Sequence, residues 1–292
     1  MIDLDGAQWA DCLAASFGAQ VVRMDTAEAT LTVFDKGPWT IGFVDFVSGS
    51  QGDPAVLVAP ARLAAKTAGV HVLRFVADRP LPGSARFARY PQQACRLPDL
   101  QAWRAATSDK GRRTLNRRIR TSLVMRGATR ADAAAMHALY LATVSRQGGV
   151  PRYPLAYFEA LAPHAGTVAL LDDQVVGFVC AGYRGGRGLY LHGAHAPSAR
   201  AHHPSDLLYL AMLETARDRG LCAFDFLASP QPGLLQYKQA WGGERFTEWT
   251  SDLATGALGG MFVMAYAAHH RWRRRLGDAQ EAGARATRRM SA

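Results

Sequence analysis

Apolar residues recur along this chain at two spacings, and the switches between them predict an alternation of strands and helices. In the first hundred residues, TLTVFDKGPWTIGFVDFV reads as strand, turn and strand, APARLAAKTAG as a short amphipathic helix, and VHVLRFVA as a further strand. Later, Pro204, Ser205 and Asp206 suit the first turn of a helix whose Leu208, Ala211, Met212, Thr215 and Ala216 share one face, with Arg217, Arg219 and Gly220 at its end. The apolar run Leu221 to Leu227 predicts a buried strand in which Asp225 points away from Phe224 and Phe226. Pro230 and Pro232 end that strand, Gly233 permits a turn, and LLQYKQAW predicts a short helix carrying Lys238. On spacing alone Lys238 reads as a solvated surface lysine, and Asp225, an acid at a strand end, as a site candidate.

Composition narrows the class. With 49% hydrophobic and 20% charged residues, the 292-residue chain is that of a soluble globular protein able to bury one or two cores. Cys12, Cys95, Cys180 and Cys222 lie far apart without a CxxC pair, so neither a zinc site nor a disulfide framework is expected, and a reducing cytoplasm is the simplest location. The opening residues, with Asp3, Asp5 and Asp11, lack a signal-peptide layout, and the run Leu258 to Ala268 is too short to span a bilayer.

The net charge of +10 is concentrated in two blocks. Lys110, Arg112, Arg113, Arg117, Arg118 and Arg120 form one, and Arg271, Arg273, Arg274, Arg275, Arg285, Arg288 and Arg289 the other. Such blocks attract polyanions: tRNA phosphates, a nucleotide-linked precursor or an anionic membrane face. The bland reading is a solvated helix face and a disordered basic tail. The segment GALGGMFVMAYAAHHRWRRRL reads alternatively as an amphipathic helix on a membrane or along the second half of the chain, although its two glycines count against a helix.

From Ser108 onward the chain resembles the Fem-type branch of the GNAT acyltransferase superfamily, which includes FemA-, FemB- and FemX-type aminoacyltransferases and related GNAT-like acetyltransferases. Four stretches carry the likeness: the basic helix SDKGRRTLNRRIRTS (108–122), MHALYLATVSRQGGVPRYPLAYFEAL (136–161), the strands, hairpin and long helix of 168–220, and the block DFLAS followed by GLLQYKQAWGGE. The sequence departs from the family pattern at Leu227 and Ala228, where small residues are common, and at Tyr237, where Phe is usual. The resemblance implies an α/β protein of two GNAT-like modules, each a mixed, mostly antiparallel sheet flanked by helices. The expected divisions are a degenerate substrate-binding module at 1–105, a basic connecting helix at 106–125, a catalytic module at 126–255, and a basic C-terminal helix and tail at 256–292.

Acyl transfer to an amine needs a neutral amine, a carbonyl at near-attack distance and donors for the developing oxyanion. The resemblance implies Lys238 as the charged donor, with the strand Gly188 to Ala194 supplying backbone N–H groups. Asp225 or His192 is a candidate for proton transfer, as is His195, unless a ribose hydroxyl of a tRNA donor relays the proton. Arg146, Tyr153, Tyr190, His195, Tyr237 and Trp241 are the expected substrate-binding residues, and Arg113, Arg117, Arg200 and Ser205 the donor-binding ones. No metal is expected. Acetyl-CoA enzymes of the superfamily carry an Arg/Gln-x-x-Gly-x-Gly/Ala loop that holds pyrophosphate on a helix N-terminus, and the corresponding ARAHHPSDLL has neither glycine. The expected donor is therefore aminoacyl-tRNA with no further cofactor, with acetyl-CoA or an acyl-carrier thioester as the alternative. The acceptor is an amine of a small molecule, peptide-like compound or cell-envelope precursor. A non-catalytic protein bound to nucleic acid or to a membrane surface is the second alternative, and peripheral membrane contact through the C-terminal tail fits either class.

Overall fold

The computed structural model describes residues 1–24, 29–47, 53–81, 87–103, 109–118, 120–229 and 231–269. The tail arginines, Ser108 and Pro230 therefore lie outside the described residues. The first half runs β1 (Ile2–Asp3), α1 (Ala7–Phe17), β2 (Gln20–Arg23), β3 (Thr30–Lys36), β4 (Trp39–Val44), α2 (Val58–Thr67), β5 (Val72–Ala77) and β6 (Phe87–Leu97). The basic helix α3 (Asp109–Arg118) leads into β7 (Val124–Gly127), α4 (Ala133–Arg146), α5 (Leu155–Ala165), β8 (Gly166–Leu171), β9 (Gln174–Arg184) and β10 (Arg187–His195). Then come α6 (Pro204–Asp218), β11 (Ala223–Ala228), α7 (Pro232–Gln239) and β12 (Glu244–Ala254). A last helix, α8, occupies 257–269.

All these strands belong to one mixed, mostly antiparallel sheet in the order β2-β3-β4-β5-β12-β6-β11-β10-β9-β8-β7, with β1 beside β9. The two halves exchange elements. Strand β1 pairs with β9, and α1 buries Trp9, Cys12 and Leu13 in a core shared with Tyr157, Phe158 and Leu161 of α5. Strand β12, from the far end of the chain, inserts between β5 and β6. Helices α1, α4 and α5 cover one face of the second half, while α6 and α7 cover the other through Leu208, Leu213, Leu235 and Trp241. A separate core around Leu31, Phe75 and Ala61 lies under α2.

Helix α8 forms in spite of its glycines because one of them is required. A Cβ at Gly259 would fall 1.9 Å from the His71 carbonyl oxygen, so only glycine permits the helix to approach β5 this closely. Val263 is thereby buried against Val72 and Ala254.

Ion pairs cross the seam between the halves. Arg74 on β5 donates Nε and Nη2 to the two carboxylate oxygens of Asp252 on β12 at 2.6 and 2.7 Å, and Asp252 is fully buried. Arg184 at the end of β9 donates to Asp5 at 2.7 Å and to the Leu4 carbonyl at 2.7 Å, and lies 3.8 Å from Asp45 beyond β4. Breaking a buried pair leaves an uncompensated charge and costs roughly 3 to 5 kcal/mol. Asp252→Ala should therefore lower the unfolding free energy measured by chemical denaturation by an amount in that range, and a change within error of zero would show that the pair does not hold β12 in place.

Candidate active site

The site begins where two parallel strands separate. Arg187, Gly188 and Leu189 of β10 pair with Ala223, Phe224 and Asp225 of β11, after which β10 pairs only with β9 and β11 only with β6. Both strands carry an irregularity at the fork. In β10 the register shifts between Tyr190 and His192, and in β11 between Asp225 and Ala228. Leu227 sits at φ 58°, a left-handed conformation unusual for a side chain of this size, and its N–H bonds the Asp225 carboxylate at 3.0 Å.

Lys238 reaches into this fork from α7. Its side chain is 2% exposed, and its ammonium donates to the Phe226 carbonyl and, at 3.2 Å, to the Leu227 carbonyl, the groups that the β11 bulge turns out of the ladder. The same nitrogen lies 5.5 Å from the centre of the Tyr190 ring. Burial lowers its pKa to about 8, opposed by the nearby Cys95, Asp225 and Glu248. It is therefore a buried lysine and not a solvated one.

A cavity of about 220 Å³ opens between β10, α6 and α7, walled by Tyr190, Tyr209, Tyr237 and Leu208 and rimmed by Arg146, His195 and Ser205, with Lys238 behind the Tyr190 ring and not among its lining residues. Gly193 makes room for it: a Cβ there would fall 2.6 Å from the Tyr190 hydroxyl. His195 Nδ1 lies 2.7 Å from Ser205 Oγ, and burial with the charges of Arg146 and Arg200 lowers the imidazole pKa. Tyr237 donates its hydroxyl to Asp206 at 2.9 Å, a carboxylate that also receives Lys110 at 2.6 Å and Arg117 at 2.9 Å. Helix α3 is thus anchored on the first turn of α6 beside the cavity.

Other expected site residues stand elsewhere. His192 is turned by the β10 irregularity onto the opposite face, where Tyr157 Oη lies 2.9 Å from its Nε2 and the Tyr153 ring is 4.4 Å away. Surrounded by aromatic rings, its imidazole is pushed down to about pKa 3 and is neutral at physiological pH. Tyr153 belongs to that aromatic cluster and does not line the cavity. Trp241 is fully buried beneath Tyr209 and its carbonyl accepts from Trp103 Nε1 at 3.1 Å. Asp225 faces away from α6 and is 1% exposed, accepting from Arg96 at 3.0 and 3.2 Å with Arg187 at 3.5 Å. Those contacts make it the clamp of β6, β10 and β11. Arg113 and Arg200 are exposed, whereas Arg117 is tied to Asp206. Among the described residues no His, Cys, Asp and Glu cluster could hold a metal ion.

Residues 106–239 match the family model described as an acetyltransferase (GNAT) domain. That stretch of the chain is similar to a GNAT acyltransferase domain. Similar solved structures show which variant of the GNAT fold it has. FemX, 14% identical, is covered over 90% of its length by 84% of this chain at a TM-score of 0.61. L-PGS from Bacillus licheniformis, 11% identical, is covered over 98% by 92% of this chain at 0.58. A C-terminal domain named for lysylphosphatidylglycerol synthetase, from Agrobacterium fabrum, 14% identical, is covered over 91% by 90% of this chain at 0.57. No curated protein matches this sequence.

Sequence reasoning did not find Glu248 of β12, a buried acid near the fork. Gln92 Nε2 donates to it at 2.9 Å, and burial together with the charge of Asp225 raises its pKa to about 7. The folded protein therefore holds a proton that the unfolded chain, with an ordinary glutamate pKa of 4.5, releases. The associated stability is fully present below about pH 4.5 and is lost as the pH rises through about 7. Denaturation of wild type and Glu248→Gln across this range should show the wild type losing stability relative to the variant as pH rises. A constant difference would mean that Glu248 titrates normally.

Proposed function

We propose that this acyltransferase moves an aminoacyl group from aminoacyl-tRNA onto an amine of a small-molecule, peptide-like or cell-envelope precursor. The observation that carries the donor assignment is the state of the α6 N-terminus. In acetyl-CoA enzymes of the superfamily this is the pyrophosphate cradle, built from free N–H groups. Here Pro204 has no N–H, the N–H groups of Asp206 and Leu207 are bonded to the His203 carbonyl at 3.1 and 3.3 Å, and the Asp206 carboxylate already sits in the first turn. A second anion meets few backbone donors there, and the Asp206 carboxylate already occupies the turn with its two cations. The names of the similar structures, FemX and lysylphosphatidylglycerol synthetase, agree with an aminoacyl donor.

In this reading the aminoacyl ester enters the tyrosine-walled cavity with its carbonyl toward the fork. The neutral acceptor amine attacks that carbon, the new C–N bond forms, and the ester C–O bond to the ribose breaks. The ammonium of Lys238, held by two carbonyls at the base of the fork, supplies positive potential to the oxyanion and keeps β10 and β11 apart. His195, facing the cavity and neutral through its lowered pKa, is placed to take the proton released by the amine. The ribose hydroxyl of the donor receives a proton as it leaves. Exposed Leu258, Met261 and Met264 on α8 support peripheral contact with a membrane that bears the acceptor.

The test is a comparison of charged tRNA, uncharged tRNA and acetyl-CoA as ligands at two salt concentrations, followed by turnover with an amine acceptor. Charged tRNA should bind best, with affinity that falls as salt rises. Lys238→Met should lower turnover by roughly a hundredfold or more, the scale of a lost oxyanion-stabilising group. Saturable acetyl-CoA use with no preference among tRNAs would overturn the donor assignment, and a fully active Lys238→Met protein would remove the lysine from the mechanism.

A further inference from the structure

A second cleft, of about 370 Å³, lies between the end of α3 and the turn that precedes α6. Asn116, Arg117, Arg120, Ser122, His202 and His203 line it, and no acidic residue does. It flanks the first turn of α6 from the side of His203, while the tyrosine-walled cavity begins two residues later, at Ser205. The two cavities are thus lined by neighbouring stretches at the start of α6, one walled by tyrosines and the other cationic and hydroxylic.

Three features show that the cleft is built and not an accident of surface lysines. Arg117, which lines the cleft, is held in place there by its Nη1 bond to Asp206 at 2.9 Å. Lys110 shares that carboxylate, so Asp206 does not cancel the positive charge of the cleft. His203 adopts φ 54°, a conformation unfavourable for a non-glycine residue that persists only where surrounding bonds enforce it. The enforcing bonds are its N–H to the Arg200 carbonyl at 3.1 Å and its carbonyl from Asp206 and Leu207. The turn thus holds an exposed imidazole beside exposed Arg120.

The geometry points to this cleft as a binding site for backbone phosphates of the RNA acceptor arm, gripping the donor next to the aminoacyl end that occupies the neighbouring cavity. The assignment rests on the aminoacyl-tRNA reading. It explains how a GNAT protein that has lost the pyrophosphate cradle anchors its donor: phosphates move one cavity away, from the helix N-terminus to side chains of α3 and the preceding turn.

The probes are an RNA minihelix with a single-stranded 3′ end and the isolated 3′ tetranucleotide, their binding to the full chain followed by fluorescence anisotropy at two salt concentrations. Wild type should bind the minihelix at least tenfold more tightly than the tetranucleotide. Arg120→Glu should erase most of that difference and reduce the slope of log affinity against log salt by about 1 to 2, as expected for one or two lost phosphate contacts. His203→Gly, which removes the imidazole at a φ that glycine favours, should weaken the minihelix severalfold without lowering the melting temperature. If wild type shows the minihelix preference and neither variant changes it, this inference falls and the donor reading stands. Should wild type bind no RNA, both fall. Loss of binding to phosphatidylglycerol vesicles in Arg120→Glu, with RNA binding unchanged, would overturn the assignment in favour of a lipid headgroup.

Discussion

Once β10 and β11 part beyond Leu189 and Asp225, the facing backbone groups of two central strands lose each other as partners. Each unsatisfied group would cost free energy comparable to a lost hydrogen bond. Two charged side chains meet that demand. Lys238 takes the Phe226 and Leu227 carbonyls, and Asp225 takes the Leu227 N–H while Arg96 and Arg187 neutralise it. The fork stays open because these bonds can be made only with the strands apart. The cavity, the bulge and the depressed lysine pKa all follow from that one solution, which is why stability and chemistry are hard to separate at Lys238.

Much of this was legible in the sequence, and the limits have identifiable causes. The helix from Pro204, the buried strand holding Asp225 and the short helix carrying Lys238 follow from spacing and punctuation alone, and all three form. The face of His192 was not legible. Strict alternation puts it beside Tyr190, but an extra residue in β10 turns it into the aromatic cluster instead. Asp206 reads as a residue that suits a helix N-terminus, and only tertiary packing shows it gathering Lys110, Arg117 and Tyr237. Arg96, Arg187 and Glu248 lie on three strands whose proximity depends on ladder order, and nothing local in the chain announces that β12 sits between β5 and β6.

The charge of the protein has a matching division of labour. Part of the basic helix is committed internally: Lys110 and Arg117 fasten α3 to α6, and Arg118 pairs with Glu214 at 2.8 Å. Arg113 and Arg120 remain exposed on the same helix and just beyond it. A basic block read from composition as one polyanion-binding surface is thus half fastener and half surface, with Arg117 contributing to both.

The insertion of β12 also bears on how the chain reaches this state. Strands β5 and β6 emerge early in synthesis, yet the strand that separates them comes after α7, so the seam between the halves closes only when residues near Ala254 have been made. Until then β5 and the longer β6 each present an open edge, a condition that slows folding and favours mispairing in sheets of high contact order. Strand β6 can meet β11 directly, with Arg96 opposite Asp225, but it stays unjoined to β5 until β12 arrives, so the sheet becomes continuous only with this late strand. A nascent chain that ends before β12 leaves those edges open and is expected to be a client for chaperones.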